Sequence, residues 1–461
     1  MLFALVLSSL HIQAQYIVTY AGNGYGAGSS GTGGYTGDGG PDYLAEFNMP
    51  IGVATYGYTN VYIADMGNHV VRKVNNIGII STLAGTGVAG YTKSDTSAAT
   101  NVKLTSPHGL AVDGVNNVYF SDQDNNVVYK VSAVTGIITV VAGSDSAGYS
   151  GDGGAAIHAR LNHPLGIALD AAGNLFIADA LNNVIRKVTP GGAISTIVGT
   201  GYGAGLSFGH GGYTGDKGPA SAAKLNYPSG VAVDVAGDIF IADVANNVIR
   251  MVNTKDTIST YAGNGVASFG GDGGAAVSAM LDYPTGVAVD GPGNVYIADQ
   301  GNNNVREVNT SGIINTIAGI HSSGYFGDGH LAVNAQLNSP ASVAVDGNGL
   351  VYIADMSNNV IRLVGPSTIV NAVPQVAGAA ALKVFPDPSA GSFTVSVPGT
   401  RNGASIAVVD MVGNVVATRN VVGTSAQNVT FALSALAAGN YIVRVDAGDA
   451  TYRAQVVILP H

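Results

Sequence analysis

Pro228-Ser229-Gly230-Val231-Ala232-Val233-Asp234 is followed by Ile239-Phe240-Ile241-Ala242-Asp243, then Asn247-Val248-Ile249-Arg250-Met251-Val252, and finally Thr257 to Ala262 with Gly263 behind it. Four short runs of β-branched and aromatic residues, each bounded by Gly, Asn or Asp, read as antiparallel strands joined by tight turns. The stretch is not unique. An aromatic–Ile/Phe–Ala/Ser–Asp tetrapeptide ends at Asp65, Asp122, Asp179, Asp243, Asp299 and Asp355. The intervals, by subtraction, are 57, 57, 64, 56 and 56 residues. Three residues after each Asp stands an Asn, from Asn68 to Asn358. Four further on is an Arg in five copies (Arg72, Arg186, Arg250, Arg306, Arg362) and Tyr129 in the other.

Four-stranded units repeated in register make a propeller. The ends of the array predict how it closes. The sixth unit has its third strand at residues 360–364 but no Thr-Ile-Ala-Gly strand after it. The missing strand stands at the other end, as Ile17-Val18-Thr19-Tyr20-Ala21-Gly22. Pairing it with the last unit would close the ring and remove two exposed edges. The expected fold is therefore all-β: a six-bladed β-propeller of four-stranded blades closed by an N-terminal strand. The pattern Pro-x-Gly-Val-Ala-Val-Asp, then Gly-Asn-Val-Tyr-Ile-Ala-Asp, then Asn-x-Val-Ile-Arg resembles the NHL repeat over about residues 17 to 364.

The units are longer than the roughly 40–45 residues of a typical four-stranded blade. The excess lies between the fourth strand of one unit and the first of the next. It reads Tyr35-Thr36-Gly37-Asp38-Gly39-Gly40, with counterparts around Asp152, Asp216, Asp272 and Asp328 and a degenerate copy at 91–95. An Ala-rich stretch after each is expected to make one helical turn. Strand parity puts these loops and the Asp-x-x-Asn turns on one face of the disc.

Composition narrows the function. Charged residues are only 10% of the 461, against about 25% in ordinary domains. The net charge of −10 argues against nucleic acid and anionic membranes, which need Lys and Arg. With no cysteine there is no disulfide, thiolate nucleophile or Cys-held metal. Residues 2–10 form a short apolar run and Ile12-Gln13-Ala14 resembles a signal-peptidase site, so 1–14 is expected to be a signal peptide. It lacks the basic residue that ordinarily precedes the run. No segment has the ~20 apolar residues of a membrane span.

The propeller is expected over 15–366 and a linker over 367–380. A different unit occupies 381–461, with Leu382-Lys383-Val384-Phe385-Pro386-Asp387-Pro388, Gly391-Ser392-Phe393, Asp410-Met411-Val412-Gly413-Asn414-Val415-Val416 and Leu436-Ala437-Ala438-Gly439-Asn440-Tyr441-Ile442-Val443. Its alternating strands predict a small β-sandwich. The phrases resemble, in order, the C-terminal sorting domain of the type IX secretion system of Bacteroidetes-type bacteria. It departs at Asp387, where Asn is usual, and at Arg453 and Gln455, near which Lys is common. The resemblance implies export to the cell surface or medium, with the secretion machinery as one partner.

Asp65, Asp122, Asp179, Asp243, Asp299 and Asp355 sit at second-strand ends, where Asp fixes turns by accepting backbone N–H groups. Asp38, Asp152, Asp216, Asp272 and Asp328 stand on glycine loops. With Tyr35, Tyr149 and Tyr213 they form the candidate binding face, suited to a protein or to a glycan stacked on the rings. Calcium at the loop aspartates and zinc at His69, His108 and His163 are the metal alternatives. One Asp per loop is dilute for calcium, and the three His occupy different repeat positions, so neither metal nor other cofactor is expected. His-Glu-x-x-His is missing. The sequence favours a secreted or cell-surface binding scaffold over an enzyme. The alternatives are a propeller hydrolase or lyase with a metal at the central channel, acting on polysaccharide or peptide, and a purely structural part of a larger surface protein.

Overall fold

The structure is a computed structural model, described over residues 15–28, 33–57, 60–92, 97–367 and the strands of the C-terminal unit between 383 and 458. The signal-peptide segment 1–14 and all but the first residue of the 367–380 linker lie outside the described residues.

Six antiparallel sheets follow one another along 15–366. Their innermost strands are Pro50–Tyr56, Pro107–Val112, Pro164–Leu169, Pro228–Val233, Pro284–Val289 and Pro340–Val345, which open blades 1 to 6. Each touches the next, and the first touches the sixth, so they form a ring around an axis. Proline suits this position because a strand's first residue need not donate to the ladder. Two residues later stands glycine in blades 1 to 5, where the backbones crowd at the axis, and Ser342 in blade 6. A Cβ on Gly52, Gly109 or Gly166 would stand 2.0, 2.4 or 2.4 Å from the backbone oxygen of the neighbouring blade.

Closure is made as the repeat's ends require. Gln15–Ala21 pairs antiparallel with Val360–Pro366, with Ile17 opposite Val364 and Thr19 opposite Arg362, and becomes the outer strand of blade 6. Between blades, side chains from facing sheets interlock; Ala64, Val71, Leu104, Phe120 and Val127 pack as one buried cluster between blades 1 and 2. Each such aliphatic burial is worth about 1.5–3 kcal/mol. The Ala-rich stretches make three-residue 3-10 turns, such as Ala156–His158 and Ala220–Ala222.

The C-terminal unit is two sheets. Lys383–Phe385, Ser392–Val397 and Gln427–Ala432 form one; Val415–Val421, Ala404–Asp410, Gly439–Asp446 and Thr451–Ile458 form the other. Phe393, Val395, Ile406, Val408, Phe431 and Val443 fill a shared core, which makes it a β-sandwich.

Candidate functional site

Each conserved feature of the repeat meets at one buried point. Asp65 accepts the backbone N–H of Asn48 at 2.8 Å and the Asn68 amide at 2.8 Å, with Arg72 Nη1 at 3.4 Å. Arg72 is fully buried and spans to Asp38, 2.7 Å from Nη2, whose side chain is 41% exposed. The same bridge joins Arg186 to Asp152 and Asp179, Arg250 to Asp216 and Asp243, Arg306 to Asp272 and Asp299, and Arg362 to Asp328 and Asp355. Burial pushes the inner carboxyls up, Asp65 to about 7 and Asp122, Asp179, Asp243, Asp299 and Asp355 to about 6, against the hydrogen bonds they accept. In Asp152 the Thr196 and Arg186 contacts win over desolvation, and its carboxyl lies below the usual range.

The candidate binding aromatics stand on these bridges. Arg72 lies 5.1 Å from the Tyr35 ring centre, Arg186 5.3 Å from Tyr149, and Arg250 5.0 Å from Tyr213. Their hydroxyls pair with Thr82, Thr196 and Thr260 of the outer strands. The loop aspartates Asp38 and Asp216 accept hydrogen bonds from the Thr82 and Thr260 hydroxyls as well. One face of each ring, its hydroxyl and the loop carboxylate are thereby already in use.

The bridge also shapes the channel mouth. The residue before each inner-strand proline is held by the Asp-anchored backbone, and five of these six are left-handed without being glycine: Met49, His163, Tyr227, Tyr283 and Ser339, at φ between 50 and 56°. Such backbone is costly for L-residues and persists only where its surroundings impose it. What imposes it is an Asn side chain from the preceding blade, accepting the N–H. Asn359 holds Met49, Asn126 holds His163, Asn183 holds Tyr227, Asn247 holds Tyr283 and Asn303 holds Ser339.

The sixth junction, between blades 1 and 2, differs. His69 replaces the Asn, and its Nδ1 donates to the Thr105 carbonyl at 2.5 Å. Ser106 donates its N–H to Asp122 and its hydroxyl to Asp124, at 2.5 Å. His163 Nε2 lies 3.8 Å from the other Asp124 oxygen. Because the Ser106 proton is committed to a carboxylate, no activated Ser–His pair is formed there. Ser121 replaces the usual Ala, accepting the Gly109 N–H and donating to Leu165 in the next blade.

Below the mouth runs a cavity of about 70 Å³ along the axis, lined by His108, Ser229 and Thr285, then by the glycine backbones, then by Val53, Leu110, Ile167, Val231, Val287 and Val343. Burial holds the His108 imidazole down at about 4, partly opposed by Asp124, so it is neutral at pH 7. Of the three candidate zinc ligands, His108 lines the axial cavity, His163 lies beside Asp124, and His69 is turned to Thr105. Among the described residues no group of three or more His, Asp or Glu is placed to hold a metal ion.

Asp124, Phe208, Tyr227 and Tyr283 were not singled out by the sequence. Two signals pointed toward them: the 64-residue interval containing 199–212, and the Tyr129 departure marking blade 2.

Fold and site together define an NHL-type β-propeller joined to an export module. The chain belongs to the Teneurin NHL domain family, whose pattern it matches over 16–148, 145–207, 200–269 and 266–325. Residues 383–459 match the secretion system C-terminal sorting domain, and the protein is accordingly secreted or held at the cell surface. Mouse Teneurin-3 is 31% identical over 291 residues, 55% of this chain and 10% of that one. The Arabidopsis thaliana chloroplastic protein SUPPRESSOR OF QUENCHING 1 is 29% identical over 274 residues, 57% of this chain and 25% of that one. The chain spans about a tenth of the length of its teneurin relatives. An auxiliary nutrient binding protein of Bacteroides thetaiotaomicron shares the fold, with TM-score 0.53 and 15% identity over 77% of this chain and 76% of that one. A structural genomics protein of unknown function from that organism aligns at TM-score 0.54, with 18% identity and cover of 77% and 76%.

Proposed function

We propose that this protein is an exported binding scaffold, whose propeller presents the loop-bearing face to a ligand and whose C-terminal unit delivers it through the type IX machinery. The propeller is taken as 15–366, the linker as 367–380 and the export unit as 381–461. One observation carries the proposal: five of the six channel-mouth positions are left-handed residues locked from blade to blade, and they carry Met, His, Tyr, Tyr and Ser side chains. A rigid frame with variable side chains lowers the ordering cost of binding. Nutrient capture, for which a fold neighbour is named, is one such use. The test is a binding screen of the secreted full chain against glycan and surface-protein arrays, with EDTA-treated protein alongside. Saturable binding insensitive to EDTA and without ligand turnover is the expected result. Ligand cleavage abolished by EDTA would instead establish the channel hydrolase or lyase.

A further inference from the structure

Two long arms flank the channel mouth. Gly24-Tyr25-Gly26-Ala27-Gly28 and Gly201-Tyr202-Gly203-Ala204-Gly205 are identical in sequence. They lie at the blade 6/1 and blade 3/4 junctions, half a turn apart in a six-bladed ring. Each leans over the turn of the preceding blade by the same pair of bonds. Gly28 N–H reaches Ser357 and the Asn359 amide reaches Tyr25; Gly205 N–H reaches Leu181 and the Asn183 amide reaches Tyr202. The second arm returns tightly on itself. Gly203 is left-handed at φ +76°, and a Cβ there would stand 2.1 Å from the His210 carbonyl oxygen.

That return delivers Phe208 to the mouth. Its ring packs edge-on to Tyr227 at 4.8 Å and lies parallel to Tyr283, 11° between planes and 5.7 Å between centres. Phe208 is 41% exposed and Tyr283 45%. The remaining mouth positions in this arc are polar: Ser106, with Asp124 beside it, and His163. Proceeding through blades 2, 3, 4 and 5, the mouth therefore runs from hydroxyl and carboxylate, through imidazole, to an aromatic shelf. Burial raises the Tyr227 phenol, and the Asp124 charge adds to it. No Lys or Arg lines the cavity beneath.

We infer that this arc of the mouth, Phe208 and Tyr283 with Asp124, Ser106 and His163, is the binding site for a neutral sugar ring, a single pyranose unit of a glycan. The inference rests on the scaffold function and names its ligand. A pyranose has an apolar face, which matches a flat aromatic shelf, and a rim of hydroxyls that both donate and accept. A carboxylate beside a hydroxyl and an imidazole answers that rim. A site of mainly apolar surface with a few convergent polar groups is the general form of a small-ligand site. An anion would meet Asp124 with no Lys or Arg to offset it. An ammonium group is better served by several aromatic faces directed at one point, whereas here Phe208 spends one face on Tyr283.

The experiment is calorimetric titration of the full chain with cellohexaose, laminarihexaose and mannohexaose. A high-mannose glycoprotein, intact and enzymatically deglycosylated, distinguishes a protein-borne glycan from a free polysaccharide. Expected is saturable binding of a sugar-bearing probe, weakened at least tenfold by F208A and by D124N, with melting temperature unchanged. Y25A, on the opposite arm, serves as the mutated control that retains binding. Sugar binding untouched by F208A and D124N would overturn the mouth assignment and leave the scaffold standing. Phe208-dependent binding of tetramethylammonium or a lysine peptide, or no sugar binding at all, would overturn the sugar. A protein ligand found on the arrays would then keep the scaffold alone.

Discussion

Blade 2 and its five companions have the same strands and ladder but solve one packing problem in two ways. In the five, a fully buried guanidinium sits between an inner and an outer aspartate. In blade 2 the same position is Tyr129, fully buried and 5.4 Å from Phe120. The ladder is indifferent: Tyr129 pairs with Phe120 as Arg186 pairs with Ile177. A buried ion pair can be replaced by apolar packing without loss of fold, whereas removing one partner alone is expensive. The bridge is thus a way of tying a long loop to its blade rather than a condition for forming the blade. The blade without it is also the one whose edge carries Ser106, His108 and Asp124.

The largest effect tests that contrast directly. Arg186→Ala leaves Asp179 buried without its cation and should cost about 3–5 kcal/mol in urea unfolding. A loss below about 1 kcal/mol would make the bridges ornamental and dissolve the distinction between the two kinds of blade. Next is the axis, where glycine stands in bridged blades and in blade 2 alike, with Ser342 in its place only in blade 6. Gly166→Ala would put a Cβ 2.4 Å from the Ser229 oxygen, an overpacking of about 1–3 kcal/mol. Gly114→Ala, with nothing within 4 Å of its Cβ, should leave the midpoint where it is. Equal effects at the two sites would show that crowding at the axis is not what selects glycine.

How much of this the sequence disclosed depends on whether the information was repeated. The six Asp positions, the Asn and Arg after them, and the strand closing blade 6 were legible because each recurs at fixed spacing, and the structure pairs Ile17 with Val364 accordingly. The partner of each Arg was not foreseen, although Asp38 and Arg72 are as far apart in sequence as Asp152 and Arg186, 34 residues in both. A fixed spacing shows that both residues belong to the repeat, but not that a loop and a strand touch across it. Tyr35 reads in sequence as an aromatic offered to solvent; in the fold its ring lies over Arg72. The mouth was less legible still. Phe208 lies in an insertion with no counterpart in most units, and its stacking on Tyr283 depends on a neighbouring blade 75 residues away by subtraction.

A smaller effect probes the blade 2 edge by pH. The His108 imidazole is pushed down to about 4 from an ordinary 6.5, so between those values the unfolded chain takes a proton that the native chain refuses. Its contribution is present above pH 6.5 and is lost as pH falls toward 4. The inner aspartates pull the other way, since carboxyls raised to about 6 bind protons in the native state first. The measurable quantity is therefore the difference between wild type and His108→Asn. Wild type should lose about 2 kcal/mol relative to the variant between pH 6.5 and 4.5. A flat difference would mean that His108 is solvated at the mouth and titrates normally.

The smallest expected effect bears most closely on what blade 2 gave up. Among the described residues Tyr129 has a buried hydroxyl with no hydrogen-bond partner, and burial raises its phenol far above the ordinary value. An unmet buried hydroxyl costs about 1–3 kcal/mol of desolvation, so Tyr129→Phe should be neutral or stabilising by up to about 1 kcal/mol. The corresponding change at a bridged blade cannot be neutral, because two aspartates there depend on the side chain removed. If Tyr129→Phe destabilises by more than about 1 kcal/mol, the hydroxyl has a partner, such as a bound water tying the loop to the blade, and blade 2 keeps a polar bridge of its own. If it stabilises, blade 2 is the one position where the repeat has exchanged its ion bridge for plain packing, leaving its edge of the mouth to be shaped by other demands.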